Sequence, residues 1–319
     1  MSQPVAFITG IAGFAGSHLA EELLAHGYHV TGALYPNEPT VNIVPIIDRL
    51  SLTELDILDE KGCREAVMRY KPDIIFHLAA FASVGKSFSK ERLVYRINFD
   101  GTLNMLSAAI RLARLKKFVF ISSCDCYGVF SPKGKTLTES QPFNPVSPYG
   151  ISKAAAEFAC QAYVKRYELP VVISRSFNHS GPRQSRDFVI PSFARQIAVI
   201  EKGRAKPVIK VGDLSVRRDL SDVRDIVRGY RLLAEKGRVS QAYNLCSGRA
   251  VAISSVLNTM LRSASKKIIV KTDPARLRPN DIPTLRGDNG LATRDLGYKA
   301  RFSLNQTIRD TVDYWRGKI

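Results

Sequence analysis

The sequence predicts an α/β protein built on a doubly wound parallel sheet. Three observations carry this. Apolar runs of strand length alternate with helical spacers from the N-terminus onward, as in VAFITG, HVTGAL, LTELDILD, PDIIFHLAA and KKFVFISS. No tight hairpin turn separates them, so the strands must run parallel, with helices on both faces. Glycines cluster between the first strand and the first helix, where a parallel sheet turns at its ligand-binding edge.

The first unit is VAFITG, then GIAGFAG with Gly10, Gly13 and Gly16, then SHLAEELLAHG closed by Gly27. Strand, glycine turn and helix in this order form the dinucleotide-binding fingerprint. Glycine lets backbone N–H groups approach a pyrophosphate, which then sits on the positive end of the helix. The second strand ends in Leu34-Tyr35-Pro36. An acid there would suit the adenosine ribose hydroxyls and an arginine a 2′-phosphate, so the choice between NAD(H) and NADP(H) stays open. Asp56 and Ile57 end one further strand, and Ala79 with Ala80 ends another. The spacer after them repeats Leu103, Leu106, Ile110 and Ala113 at helical steps.

The strand KKFVFISS delivers Ser122-Ser123-Cys124-Asp125-Cys126-Tyr127-Gly128 to the same edge. Next comes PYGISKAAAEFACQAYVKRY, an Ala-rich helix with Phe158, Ala162 and Tyr163 on one stripe. Tyr149 and Lys153 stand four residues apart on it and share a face. A fixed positive charge near a phenol is expected to lower its pKa from about 10 toward a useful range. Ser123 is a candidate partner that stabilises developing charge on a carbonyl oxygen.

The combination of TGxxGxxG, the strand-end ISS…YG and YxxxK resembles the extended short-chain dehydrogenase/reductase superfamily over essentially the whole chain. The resemblance implies a catalytic set of Ser123, Tyr149 and Lys153, with Asn98 supporting the lysine through water. It implies a cofactor site of Gly10, Gly13, Phe14, Ala15, Gly16, Asp56, Ile57, Leu78, Ala79, Ala80, Asn98 and Phe177, joined by Tyr149 and Lys153. From Arg175 onward, SRSFNHSGPRQSRDFVIPSFARQI, VGDLSVRRDLSDVRD and LRPNDIPTLRGDN resemble the branch acting on GDP-mannose derivatives. That likeness implies a substrate site of Ser83, Asn178, His179, Phe188, Val189, Arg195, Arg218 and Arg278, with Arg218 and Arg278 holding a diphosphate and the stretch from Phe188-Val189 to Arg195 lining a guanosine site. It also implies a homodimer. Dehydratases of the branch carry Glu at the position of Asp125, an additional acid-base group. Aspartate is one methylene shorter, and YPNEPTVNIVP lacks the arginine-rich run expected of a GDP-mannose dehydratase. The expectation is a reductase acting on a GDP-linked keto-deoxy sugar.

Two domains are expected: 1–177 with 219–246 for the dinucleotide, and 178–218 with 247–319 for the nucleotide sugar. The last helix, with Leu304, Ile308, Val312 and Trp315 at three- and four-residue steps, reads as core packing. No apolar run reaches the roughly 18 residues of a membrane span, and the N-terminus runs into a strand without a basic leader. Five cysteines without regular spacing argue for a reducing compartment, and Cys124-x-Cys126 has no second pair to complete a zinc site. These features together point to the cytoplasm. Lys and Arg number 47 against 29 Asp and Glu, for a net charge of +18. Such a balance favours anionic partners, but the basic residues are scattered and no nucleic-acid-binding motif accompanies them. An intact Ser, Tyr and Lys set likewise argues against a non-catalytic dinucleotide sensor.

Overall fold

A computed structural model describes residues 3–129, 136–277 and 282–319. Six strands come first along the chain: β1 (Val5–Thr9), β2 (His29–Leu34), β3 (Leu50–Glu54), β4 (Ile74–His77), β5 (Lys117–Ser123) and β6 (Val171–Ser176). With the Ala242–Leu245 strand they form one parallel sheet. Its order is β3, β2, β1, β4, β5, β6 and Ala242–Leu245. The order reverses between β1 and β4, so the crevice beyond their carboxyl ends is the ligand edge.

Alternation along the strands makes two cores. Ala6, Ile8, Ile74, Phe76 and Val119 face the helices Phe14–Ala25 and Val223–Lys236. Phe7, Ile75, Phe118, Phe120 and Ile173 face Glu60–Tyr70, Gly101–Ala109 and Pro148–Tyr167. Burying each such side chain contributes about 1.5–3 kcal/mol. A third cluster, including Ile190, Phe193, Ile209, Leu257, Ile308 and Val312, holds the smaller unit together, with Leu304 and Trp315 packed at its margin. The Gly290–Leu296 helix, in the segment expected with the smaller unit, instead packs Ala292 and Leu296 into the sheet's own cluster.

Two helices differ from their sequence stripes. The Gly101–Ala109 helix stops before Ile110, which is 39% exposed, and buries Thr102, Met105, Leu106 and Ala109. In Pro148–Tyr167, Phe158 is 59% exposed, while Lys153, Ala156, Glu157 and Cys160 face inward. The apolar stripe is therefore not the buried face. Glu157 turns inward because Arg175 of β6 meets it there, Nη2 donating to Oε1 at 2.5 Å. All five cysteines are free and buried. Among the described residues, no helix is long and apolar enough to cross a membrane, and no group of His, Cys, Asp and Glu could hold a metal ion.

A buried polar chain ties the ligand edge together. Thr9 Oγ1 accepts from the N–H groups of Leu78 at 3.1 Å and Ala79 at 3.0 Å, so its own hydrogen donates to His77 Nδ1 at 2.9 Å. The opposite nitrogen, Nε2, must then carry the proton and donates to Thr102 Oγ1 at 3.1 Å. Thr102 in turn donates to the Asn98 carbonyl at 2.7 Å. Every link needs neutral imidazole, and burial holds the His77 pKa down to about 3. The folded protein thus binds fewer protons than the unfolded chain between pH 6.5 and 3. Stability from this site is fully present above pH 6.5 and is lost as pH falls through that window. The loss should reach on the order of 5 kcal/mol, at about 1.4 kcal/mol per pKa unit. Chemical denaturation of His77→Gln across pH 7 to 3 should show lower stability at pH 7 and a flatter acid limb. An unchanged acid limb would remove His77 as its source.

Candidate active site

The glycine turn comes first along the chain. Gly10 has φ +71° and lies against the Ala79 backbone, and the Phe14–Ala25 helix begins immediately after Gly13. A Cβ on Gly16 would stand 2.1 Å from the Gly10 carbonyl oxygen, so only glycine closes this turn. Phe14, Ala15 and Gly16 form the first helical turn, whose N–H groups have no intrahelical acceptor. That cradle fits the pyrophosphate of a dinucleotide.

The other residues of the expected cofactor site fall into two groups. Leu78, Ala79 and Ala80 lie at the end of β4, against the glycine turn, and are partly exposed. Asp56 lies just past β3 and accepts from the Leu58 N–H at 2.9 Å. Ile57 and Phe177 are buried in hydrophobic clusters, at 6% and 1% exposure, so their side chains serve packing. Asn98 sits in a π-helical turn, Arg96–Asp100, a feature frequent at functional sites. Its Oδ1 accepts from the Phe81 N–H at 2.7 Å and its Nδ2 donates to Ser152 Oγ at 2.9 Å. Asn98 therefore braces the catalytic helix through Ser152, which donates to the Tyr149 carbonyl at 2.7 Å.

The catalytic helix is placed by its own start. Ser147 caps it, its Oγ accepting from the Gly150 N–H at 3.0 Å, and Pro148 takes the first helical position. The Cys124–Cys126 turn presses directly on this start. A Cβ on Gly150 would meet the Asp125 carbonyl oxygen at 2.7 Å. This contact sets Ser123 and Asp125 beside Tyr149. Ser123 Oγ donates to Asp125 Oδ2 at 3.0 Å and accepts from the Asp125 N–H at 3.1 Å.

The electrostatics depart from the sequence expectation. Burial, reinforced by the Asp125 carboxylate, pushes the Tyr149 phenol up, and the Ser123 hydroxyl acts the other way. The Lys153 ammonium points to β5, donating to the Ile121 carbonyl at 2.8 Å over the Phe120 ring. Burial brings Lys153 down to about 8. The phenol pKa is thus raised where the Lys153 spacing predicts it lowered.

A cavity of about 630 Å³ opens beyond this edge. It brings together Ser83, Asn178, His179, Phe188, Val189, Arg195 and Arg218, seven of the eight residues expected to hold substrate; the eighth, Arg278, lies outside the described residues. Asn178 Oδ1 is buried without a hydrogen-bond partner. His179 stacks on Phe14 with ring centroids 5.8 Å apart, joining the cavity to the glycine turn. Its Nδ1 donates to the Phe177 carbonyl at 2.9 Å, and burial lowers its pKa, keeping it neutral. Arg218 is buried and donates to the Ile282 carbonyl at 2.6 Å. Next to it, Asp219 fixes the strand by accepting from Ser247, Gly248 and Gly287.

Lys86, Gln184, Arg186 and Arg276 also line this cavity and were missed by sequence reasoning. Gln184 and Arg186 lie inside the quoted SRSFNHSGPRQSRDFVIPSFARQI stretch and Arg276 in the same ARLRP run as Arg278, so those runs held the signal; Arg276 donates to Ser192 Oγ at 3.1 Å. Lys86 is held by Asp187 at 2.6 Å, a pairing 101 residues apart that no local pattern announces.

Comparison with known proteins agrees with this geometry. Residues 7–311 match the family described as GDP-mannose 4,6 dehydratase. The GDP-6-deoxy-D-mannose reductase of Pseudomonas aeruginosa is 32% identical over 313 residues, covering 98% of this chain and 97% of that one. The GDP-mannose 4,6-dehydratase of Vibrio cholerae is 27% identical, covering 98% and 93%. The structure of RMD from Pseudomonas aeruginosa complexed with NADPH superposes with a TM-score of 0.85 at 29% identity, over 99% of this chain and 100% of that one. The Thermus thermophilus UDP-glucose 4-epimerase complex with NAD gives a TM-score of 0.87 at 30% identity, with the same coverage. The chain therefore belongs to the GDP-mannose 4,6 dehydratase family, within the extended short-chain dehydrogenase/reductase superfamily of nucleotide-sugar oxidoreductases.

Proposed function

We propose that this protein reduces the C4 keto group of GDP-4-keto-6-deoxy-D-mannose to give GDP-D-rhamnose, using a nicotinamide cofactor. The observation that carries this reading is the Tyr149 phenol hydrogen-bonded beside Ser123 at the sheet edge. A phenol that keeps its proton at neutral pH suits the reductive direction, in which the forming alkoxide must receive one. A reduced nicotinamide, when bound, supplies the hydride. Tyr149 then gives its proton to the oxygen on C4. The Ser123 hydroxyl can turn from Asp125 to the same oxygen and stabilise its developing charge. Lys153 keeps a positive charge behind the helix, which favours phenolate once the proton has left.

The cavity supports a nucleotide-diphosphate sugar as substrate. Arg195, Arg218 and Arg276 give it planar donors for phosphate oxygens. Asn178 Oδ1 is a ready acceptor for a sugar hydroxyl or a base N–H. Likeness over nearly all of both chains to the Pseudomonas GDP-6-deoxy-D-mannose reductase supports guanosine as the base and a keto-deoxy sugar.

The second reading is the dehydratase, favoured by the Asp125 carboxylate next to the phenol. A dehydratase must oxidise C4, remove the C5 proton, expel the C6 hydroxyl and return the hydride, and this needs a further acid-base group free to reach the substrate. Here that carboxylate accepts the Ser123 hydroxyl, on a side chain one methylene shorter than glutamate.

Tyr149→Phe should leave dinucleotide binding by calorimetry largely intact while lowering turnover roughly 100-fold or more, the usual weight of a general acid. Near wild-type turnover would remove Tyr149 as the proton donor. The two readings separate when the protein is incubated with each sugar and the products are identified by mass and NMR. Reduction of GDP-4-keto-6-deoxy-D-mannose at the expense of NADH or NADPH is expected, with little or no conversion of GDP-mannose. Release of the 4-keto-6-deoxy sugar from GDP-mannose, without net consumption of reductant, would assign the dehydratase instead.

A further inference from the structure

The end of β2 carries neither acid nor base in its own sequence, yet the fold places a carboxylate there. Pro36 is followed by Asn37 at φ +61°, and the Glu38 N–H donates to the Tyr35 carbonyl at 2.9 Å. Proline followed by a positive φ is the pattern of a type II turn. This turn swings the Glu38 side chain back, so that its Oε2 accepts from the Tyr35 N–H at 3.2 Å, at the very end of β2. The loop that carries it lies on the glycine turn. Asn42 Nδ2 donates to the Ala12 carbonyl at 2.9 Å, and the Ile11 N–H donates to the Ala33 carbonyl at 3.4 Å. Glu38 is half-buried and Tyr35 is 60% exposed beside it.

The charge map points the same way. All 47 Lys and Arg of the chain lie from Arg49 onward; residues 1–48 contain none, against Glu21, Glu22, Glu38 and Asp48. In a chain of net charge +18, the strand–turn–helix–strand unit is thus locally negative. A 2′-phosphate of NADP(H) at the end of β2 would find no cation from this unit and would face the Glu38 carboxylate. A free ribose diol would find an acceptor there, which is how acids at this position discriminate.

We propose that Glu38 makes the protein selective for NAD(H) over NADP(H), its carboxylate accepting from the adenosine ribose hydroxyls and repelling a 2′-phosphate. The proposal rests on the reading that the glycine turn holds a dinucleotide. It sets this chain apart from the Pseudomonas structure, which holds NADPH.

Calorimetric titration of the purified protein with NAD⁺ and, separately, NADP⁺ tests it without relying on turnover. The wild type should bind NAD⁺ at least about tenfold more tightly, the scale of one hydrogen bond to a charged group. Glu38→Gln keeps an acceptor for the Tyr35 N–H and should narrow the preference severalfold. Glu38→Arg should reverse it, and a melting curve matching the wild type would show that both variants fold. Equal or tighter binding of NADP⁺ by the wild type, or an unchanged preference in both variants, would overturn the proposal while leaving the dinucleotide reading intact. Binding of neither dinucleotide would overturn that reading as well.

Discussion

The site depends on how the carboxyl ends of β1 and β4 are locked to the helix bundle below them. Thr9, His77, Thr102 and the Asn98 carbonyl form one directional hydrogen-bond chain, and the Asn98 side chain carries it on to Phe81 and Ser152. Ser152 then meets the Tyr149 carbonyl. The glycine turn, the β4 end and the Pro148–Tyr167 helix are therefore joined by one hydrogen-bonded network. A buried network of this kind holds a single geometry only when every member is satisfied, and neutral His77 is what satisfies both hydroxyls.

Beneath the catalytic helix lies a second polar anchor. Arg175 of β6 donates to Glu157, to the Tyr127 hydroxyl at 3.0 Å and to the Glu139 carbonyl at 2.8 Å. Tyr127 passes its own proton to Asn244 Oδ1 at 2.7 Å. The anchor joins the helix, the turn carrying Asp125 and the edge strand of the sheet. Its cost in desolvation is offset by the number of bonds made. Removing one partner of such a buried pair typically costs about 3–5 kcal/mol, because the other charge is left stranded. Tyr149, Lys153 and Glu157 follow one another at four-residue steps, so the anchor that fixes the helix at Glu157 also holds the turns that carry Tyr149 and Lys153.

The smaller unit meets this rigid edge through a few specific contacts. His179 stacks on Phe14, His18 Nε2 meets the Pro182 carbonyl at 3.1 Å, and Arg183 pairs with Glu21 at 2.6 Å. These contacts set the cavity against the glycine turn. The cavity lining is mainly basic, with Lys86, Arg186, Arg195, Arg218 and Arg276, whereas residues 1–48 carry no Lys or Arg.

Much of this was legible in the sequence. The glycine turn, the Tyr149–Lys153 spacing and the last helix depend on local backbone geometry and short periodicities, which neighbouring residues dictate. Ile308 and Val312 are buried as their spacing requires. What the sequence alone misjudged depended on distant partners. Phe158 faces solvent while Glu157 faces inward, because Arg175, 18 residues beyond Glu157, meets it there. Burial and the Asp125 carboxylate raise the Tyr149 phenol rather than lower it, and the Lys153 ammonium is drawn to the Ile121 carbonyl. The cavity assembles from residues near 83, 178–196, 212–220 and 275–277, and the carboxylate at the end of β2 arrives only through a turn. Local patterns fix which chemistry a chain carries; burial and long-range partners, which exist only once it has folded, decide the charge state and direction of each group.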